Sequence, residues 1–183
     1  FKTTDAGVNW SLVDTYTSEV IRTCYLVNNI LLGGAYRSTL IKSTDFGLTW
    51  VNLANSSRDI YGINIENGTD NIVVAADRGE VNYSTNIGIT WEKTNFTTGD
   101  ILYDVVKFNN NIYACGRAGA FFVSTNTGLS WLNKSIGTST TRLYKLFFFD
   151  AEKGYTVTNE GKILYTTNAG TTWLEHGVFS NTT

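Results

Sequence analysis

The chain has 183 residues, 42% hydrophobic and 14% aromatic, a composition that supports a packed core and excludes intrinsic disorder. A formal charge of -2 and a pI near 5.4 provide no general field for nucleic acid or an anionic membrane surface, so any cationic site must be local. No apolar run approaches the ~20 residues of a membrane-spanning helix, and Cys24 and Cys115 stand in no metal-binding or disulfide-framework spacing.

In chain order, one phrase returns five times: TTDAGVNW at 3–10, STDFGLTW at 43–50, STNIGITW at 84–91, STNTGLSW at 124–131 and TTNAGTTW at 166–173. The copies close on Trp10, Trp50, Trp91, Trp131 and Trp173, at intervals of 40 to 42 residues, and use every tryptophan in the chain. A fixed period near forty is the mark of a repeat architecture. Residues 1–13 hold the end of one unit, and four complete units follow at 14–54, 55–95, 96–136 and 137–183.

The unit at 96–136 predicts four strands. Residues 101–108 form the first, Asn109, Asn110 and Asn111 turn the chain, and 112–115 form the second. Gly116 to Gly119 breaks the run, 120–123 is the third strand, the phrase turns the chain again, and 129–132 is the fourth. The other units repeat the plan, with turns at Asn28-Asn29 and Asn67-Gly68 and breaks at Gly33-Gly34, Arg78-Gly79 and Glu160-Gly161. No segment has sustained helical periodicity. Four short strands cannot bury both faces of a sheet alone, so units must stack, and the expected fold is an all-β propeller of four-stranded antiparallel blades.

The phrase resembles the Asp box, or bacterial neuraminidase repeat, S/T-x-D-x-G-x-T/S-W. The resemblance implies a hairpin between the third and fourth strands of each blade. Asp5, Asp45, Asn86, Asn126 and Asn168 are expected to brace their own turns through an accepting oxygen. Gly7, Gly47, Gly88, Gly128 and Gly170 supply positive φ, and the tryptophans cover the hairpins. Asn in three of five copies keeps the acceptor without the charge, which makes this position structural and neither catalytic nor metal-binding. Four blades plus a partial one leave open sheet edges, so the chain is expected to be part of a larger propeller completed by further blades.

The loop between strands 2 and 3 and the loop from strand 4 to the next blade open on one face of such a disc. Arg37, Arg78 and Arg117 fall in the 2–3 loops, Arg58 and Arg142 in the inter-blade loops, and Arg22 just past one, so every arginine is assigned to one face. Lys42, Lys93, Lys107, Lys145 and Lys162 are placed within strands. Guanidinium suits forked recognition of anions and stacking on rings, and Tyr36, Asp77, Tyr61, Tyr103 and Tyr144 lie at or near the same rim. The competing reading is that the arginines pair with Asp14, Asp59, Asp77 and Asp100 and hold blades together.

Asp-box propellers include sialidases, other glycoside hydrolases, sortilin-type receptors and photosystem II assembly factors. A sialidase resemblance would require an Arg-Ile-Pro motif, and this chain has no proline. A glycoside hydrolase needs two carboxyl groups ~5 Å apart for retention or ~6.5–9.5 Å for inversion; Asp59, Asp77, Asp100 and Glu160 are loop carboxylates with no marked partnership. No phosphate loop, nucleophile triad or metal cluster appears, so no catalytic residue and no cofactor is expected. His176 reads as a surface residue, and Cys24 and Cys115 as small buried ones.

The tandem boxes without hydrolase motifs look most like the photosystem II assembly-factor type of repeat, which implies an arginine-bearing face for a protein partner, carried here by Arg37, Arg78 and Arg117. The expected function is a non-catalytic docking or scaffold propeller. The alternative is a glycan-binding or sialidase-like glycoside hydrolase module. Sequons at Asn9, Asn55, Asn67, Asn82, Asn95, Asn133 and Asn181 permit glycosylation, and the expected setting is exported, extracellular or the surface of a virion.

Overall fold

The computed structural model describes residues 1–13, 17–53, 58–94 and 98–176. Four sheets follow one another, each a four-stranded antiparallel meander with its strands in chain order. The first comprises β1 (Ile21–Val27), β2 (Ile30–Ala35), β3 (Leu40–Ser43) and β4 (Val51–Asn52), and the second β5 (Ile60–Ile65), β6 (Ile72–Ala76), β7 (Val81–Ser84) and β8 (Glu92–Lys93). The third comprises β9 (Leu102–Phe108), β10 (Asn111–Gly116), β11 (Phe121–Ser124) and β12 (Leu132–Asn133), and the fourth β13 (Leu143–Phe148), β14 (Gly154–Thr158), β15 (Ile163–Thr166) and β16 (Leu174–Glu175). These are propeller blades. The only helical turn among the described residues is a 3-10 turn at Asp77–Gly79.

Alternation along the middle strands splits the apolar residues between two neighbouring blades. Ile72 and Val74 face the first sheet, where they join Leu32, Leu40, Ile60, Ile63 and Ile65; Val73 and Ala75 face the third, with Leu102, Val105, Ile112 and Phe122. A third core joins Tyr113, Cys115, Phe121 and Val123 to Leu143, Leu146 and Phe148. Trp91, Trp131 and Trp173 each pack on one of these three cores, while Trp10 is 60% exposed.

The first strands lie innermost, β1 against β5, β5 against β9 and β9 against β13. Two of these strands are tied to the preceding blade side chain to backbone: in β9 the Lys107 N–H donates to Asn64 Oδ1 at 3.0 Å, and in β13 the Leu146 N–H donates to Asp104 Oδ2 at 2.8 Å. Each bond takes up one donor that the strand's inner edge would otherwise offer for stray pairing.

Each Asp box is built the same way. The leading hydroxyl (Thr3, Ser43, Ser84, Ser124 or Thr166) accepts the glycine N–H at 2.8–2.9 Å, and the acid or amide Oδ1 accepts the N–H four residues on at 2.9 Å. Where the residue is Asn, its Nδ2 donates to the hydroxyl of Thr90, Ser130 or Thr172; where it is Asp, its second oxygen accepts from Asn9 or Thr49. A hydroxyl can serve as donor or acceptor, which is why this site takes either residue. The residue before the glycine also has positive φ in every copy: Ala6, Phe46, Ile87, Thr127 and Ala169. The tryptophan Nε1 donates to the glycine carbonyl in Trp10, Trp91 and Trp131, whereas Trp50 and Trp173 bury that group without a partner.

These bonds give a pH prediction. The Thr49 hydroxyl and N–H hold the Asp45 carboxyl down at about 2, below its ordinary 3.8, so its stabilising effect is complete above 3.8 and is lost as pH falls towards 2. Asp45→Asn is expected to melt with the wild type at neutral pH, its amide donating to Thr49, and above the wild type near pH 2.5. Thermal melts from pH 2 to 7 check this, and parallel acid limbs would refute it.

Four expectations are corrected. Gly33 and Gly34 do not break the chain but lie inside β2, where a Cβ on Gly34 would stand 2.6 Å from Ile60 Cγ2. The fourth strand of the third blade is Leu132–Asn133, because the box turn extends through Ser130. Lys162 ends the fourth 2–3 loop and does not belong to a strand; it pairs with Glu160 and Glu175 at 3.5 Å. Cys24 is exposed: it occupies the strand position of Ile63, which packs on the blade ahead, and no such blade covers Cys24 among the described residues. Cys115 is buried as expected, its thiol donating to the Leu143 carbonyl, and burial pushes its pKa well up. Of the sequons, Asn82 is fully buried and closed to modification in the fold, and Asn55, Asn95 and Asn181 lie outside the described residues.

Candidate functional site

The four 2–3 loops, at 36–39, 77–80, 117–120 and 159–162, share one frame. In each, the N–H of the first residue donates to the carbonyl of the residue just before that blade's first strand: Tyr36 to Val20 (3.3 Å), Asp77 to Asp59 (3.0 Å), Arg117 to Ile101 (2.9 Å) and Asn159 to Arg142 (3.1 Å). Arg117 and Arg142 also form an isolated antiparallel bridge. The 2–3 loops and the inter-blade loops are thereby tied together at one end of every sheet. Arg22, Arg37, Arg58, Arg78, Arg117 and Arg142 all lie at that end.

Within the frame, Arg37 and Arg78 take the second loop position with φ of 52° and 56°. Ala118 holds that position in the third loop, with φ 56°, so Arg117 sits one place earlier, and Glu160 replaces arginine in the fourth. Arg37, Arg78, Arg117 and Arg142 are exposed, as is Arg22, while Arg58 is half-buried.

Among the described residues no aspartate forms an ion pair with these arginines. Asp59 Oδ1 accepts the backbone N–H of Arg37 and Asp77 Oδ1 that of Arg78, each at 2.9 Å, so both carboxylates brace loop backbone. Asp14 lies outside the described residues. Among the described residues the arginine ion pairs are Arg37 with Glu19 at 3.3 Å and Arg58 with Glu80 at 3.9 Å, and Arg37 remains 83% exposed. Exposed pairs of this kind are weak, ~0–1 kcal/mol. Among the described residues no carboxylate lies within ion-pair distance of Arg22, Arg78, Arg117 or Arg142.

One feature of the rim escaped the sequence reading. In every blade the second residue of the first strand is the extra residue of a β-bulge: pairing jumps from Ile21 to Thr23, Ile60 to Gly62, Leu102 to Asp104 and Leu143 to Lys145. Bulges re-aim the side chain they leave unpaired. Arg22, Tyr61, Tyr103 and Tyr144 are thereby brought into one row. Arg22 stacks 3.9 Å over Tyr36 and lies 4.7 Å from Tyr61; Tyr61 and Tyr103 are 6.0 Å apart, and Tyr103 and Tyr144 5.3 Å. The neighbouring Tyr144 phenol raises the Arg142 pKa further. Burial raises the Tyr61 phenol, against the opposing charge of Arg22. The signal was present as a recurring aliphatic-Arg/Tyr pair at the head of each unit: Ile21-Arg22, Ile60-Tyr61, Leu102-Tyr103 and Leu143-Tyr144.

Further along the first strands a cleft of about 760 Å³ is lined by Tyr25, Asn64, Glu66, Asp104, Lys107 and Lys145, among others. Its charges are matched internally, Lys107 with Glu66 at 2.7 Å and Lys145 with Asp104 at 3.0 Å. His176 is exposed, edge-on to Tyr155 and Tyr165 on the last blade.

The sequence profile of the family described as photosynthesis system II assembly factor YCF48 matches residues 64–167. No curated protein matches the chain. Among solved structures, YCF48 bound to D1 peptide is similar over 94% of this chain and 59% of its own, with 18% identity and a TM-score of 0.67. YCF48 from Cyanidioschyzon merolae is similar over 92% and 60%, with 16% identity and a TM-score of 0.73. An ancestral GH74 enzyme matches 94% of this chain and 26% of its own, at 19% identity and a TM-score of 0.76. The chain thus spans about three-fifths of the YCF48 structures. At these identities the likeness to solved structures is one of fold alone.

Proposed function

The chain belongs to the photosynthesis system II assembly factor YCF48 family, and from that premise we propose that it is a non-catalytic docking propeller whose arginine-bearing loop face takes up a segment of a partner protein. One observation carries the reading: four guanidinium groups at one end of the sheets, Arg22, Arg78, Arg117 and Arg142, without carboxylate partners among the described residues. Cations that served only as salt bridges between blades would be paired with carboxylates. The solved complex of a family relative with a D1 peptide makes that peptide the first partner to try.

The test is a titration of labelled D1 peptide, and of a panel of acidic peptides, into the wild type and an Arg37→Gln, Arg78→Gln, Arg117→Gln triple variant. At about 0.5–1 kcal/mol for each exposed cation, affinity should fall at least tenfold, most steeply at low salt, with the melting temperature unchanged. Equal affinity in the triple variant would remove the loop face from the reading. Failure of every peptide to bind the wild type would remove the docking function itself.

A further inference from the structure

The bulge row refines that docking face, and the inference drawn from it rests on the docking reading. We propose that Arg22, Tyr61, Tyr103, Tyr144 and Arg142 form a preorganised cradle for an extended peptide with a carboxylate at each end of a three- or four-residue apolar stretch.

The ends of the row supply the charge selection. Stacking of Arg22 on the Tyr36 ring at 3.9 Å fixes the guanidinium plane and leaves its in-plane N–H groups for a forked contact with carboxylate. Arg142, two residues before Tyr144, is held at the other end by its backbone, which bridges Arg117, donates to Asn159 Oδ1 at 2.7 Å and accepts the Asn159 N–H at 3.1 Å. Neither has a carboxylate partner among the described residues, so an acidic ligand displaces no existing ion pair there.

The middle of the row supplies the apolar selection and its length. The ring centroids step 6.0 Å and then 5.3 Å, a distance an extended chain at ~3.3 Å per residue covers in three to four residues. Tyrosines in mutual contact lose little further side-chain freedom on binding, which is how preorganised sites gain affinity. The rings meet at 75° and 43° and so turn mixed edges and faces outward. Stacking nucleobases would need open parallel faces and a basic surround, and the formal charge is -2.

The probe is a positional-scanning hexapeptide library in which every position is run through Glu, Gln, Leu and Lys, read by fluorescence anisotropy at two salt concentrations. The wild type should select Glu at the two flanks and Leu between them. Arg22→Lys keeps the charge but loses the fork, and is expected to weaken the Glu peptide about tenfold while leaving its Gln counterpart unchanged. Tyr103→Leu should lower affinity for both, and Tyr103→Phe should restore it, which separates loss of the ring from loss of the fold. Peptides that bind, respond to the triple loop variant and ignore both Arg22→Lys and Tyr103→Leu would overturn the cradle and leave the docking face standing. Binding of an oligonucleotide with no peptide bound would overturn both.

Discussion

Replacing Gly62 with alanine is expected to cost about 2 kcal/mol of stability, the scale of forcing an extra methyl into a closed interior. Gly62 follows the bulged Tyr61 in β5, where the first strands of the second and third blades come together. A Cβ there would stand 2.7 Å from the Asp104 Cα, 3.0 Å from its carbonyl carbon and 3.0 Å from the Val105 nitrogen. All three are backbone atoms, so no side chain can swing aside and the strands themselves must part. The natural comparison is Gly68, which has φ of 76° and nothing within 4 Å of its added Cβ, so Gly68→Ala tests conformational strain alone, ~1 kcal/mol. At ~2–4 °C per kcal/mol for a chain of this size, Gly62→Ala should melt ~2–4 °C below Gly68→Ala. The Tyr61 to Tyr103 step crosses the same seam, so peptide binding should fall with stability in Gly62→Ala and hold in Gly68→Ala. Equal melting points would mean that the blades tolerate separation at this seam.

The repeat was legible because its cause is local. Hydroxyl, acceptor, glycine and tryptophan at fixed offsets close one turn within eight residues, and the bonds from Ser43 and Asp45 to Gly47 and Thr49 need nothing outside STDFGLTW. The common end of the arginines was legible for the same reason, since strand count alone places a 2–3 loop. What was hidden depends on contacts between units. Tyr61 and Tyr103 read as strand residues near a rim; that each is left over by a bulge follows from how β5 and β9 pair with β6 and β10. The competing reading paired the arginines with nearby aspartates, whereas the structure spends Asp59 and Asp77 on backbone N–H groups and supplies Glu19 and Glu80 from elsewhere. Cys24 read as buried because free cysteine usually is; its exposure depends on packing between blades, since no blade covers it among the described residues.

Asp104→Ala should destabilise the seam between the third and fourth blades by about 2 kcal/mol, the cost of leaving a buried N–H unpaired. Asp104 sits one residue past the bulged Tyr103, its side chain 5% exposed, and accepts both the Leu146 N–H at 2.8 Å and the Lys145 ammonium at 3.0 Å. Alanine orphans the Leu146 donor, while Lys145, 62% exposed, returns to water. Asp104→Asn keeps an acceptor for Leu146 and removes the buried charge, so it should retain most of the stability, as replacements of buried charges often do. Acid titration separates the two roles of the residue. Burial raises the Asp104 carboxyl above 3.8 against the pull of Lys145, so the fold binds this proton more tightly than the unfolded chain. Its contribution therefore improves as pH falls through the raised folded value and is complete below 3.8, the opposite sign to Asp45. Asp104→Asn loses that gain, so the wild type should close on it, or overtake it, in melts taken from neutral pH towards pH 4. A constant offset between the two across that range would show that the carboxylate stays charged in the fold and that Lys145 dominates its burial.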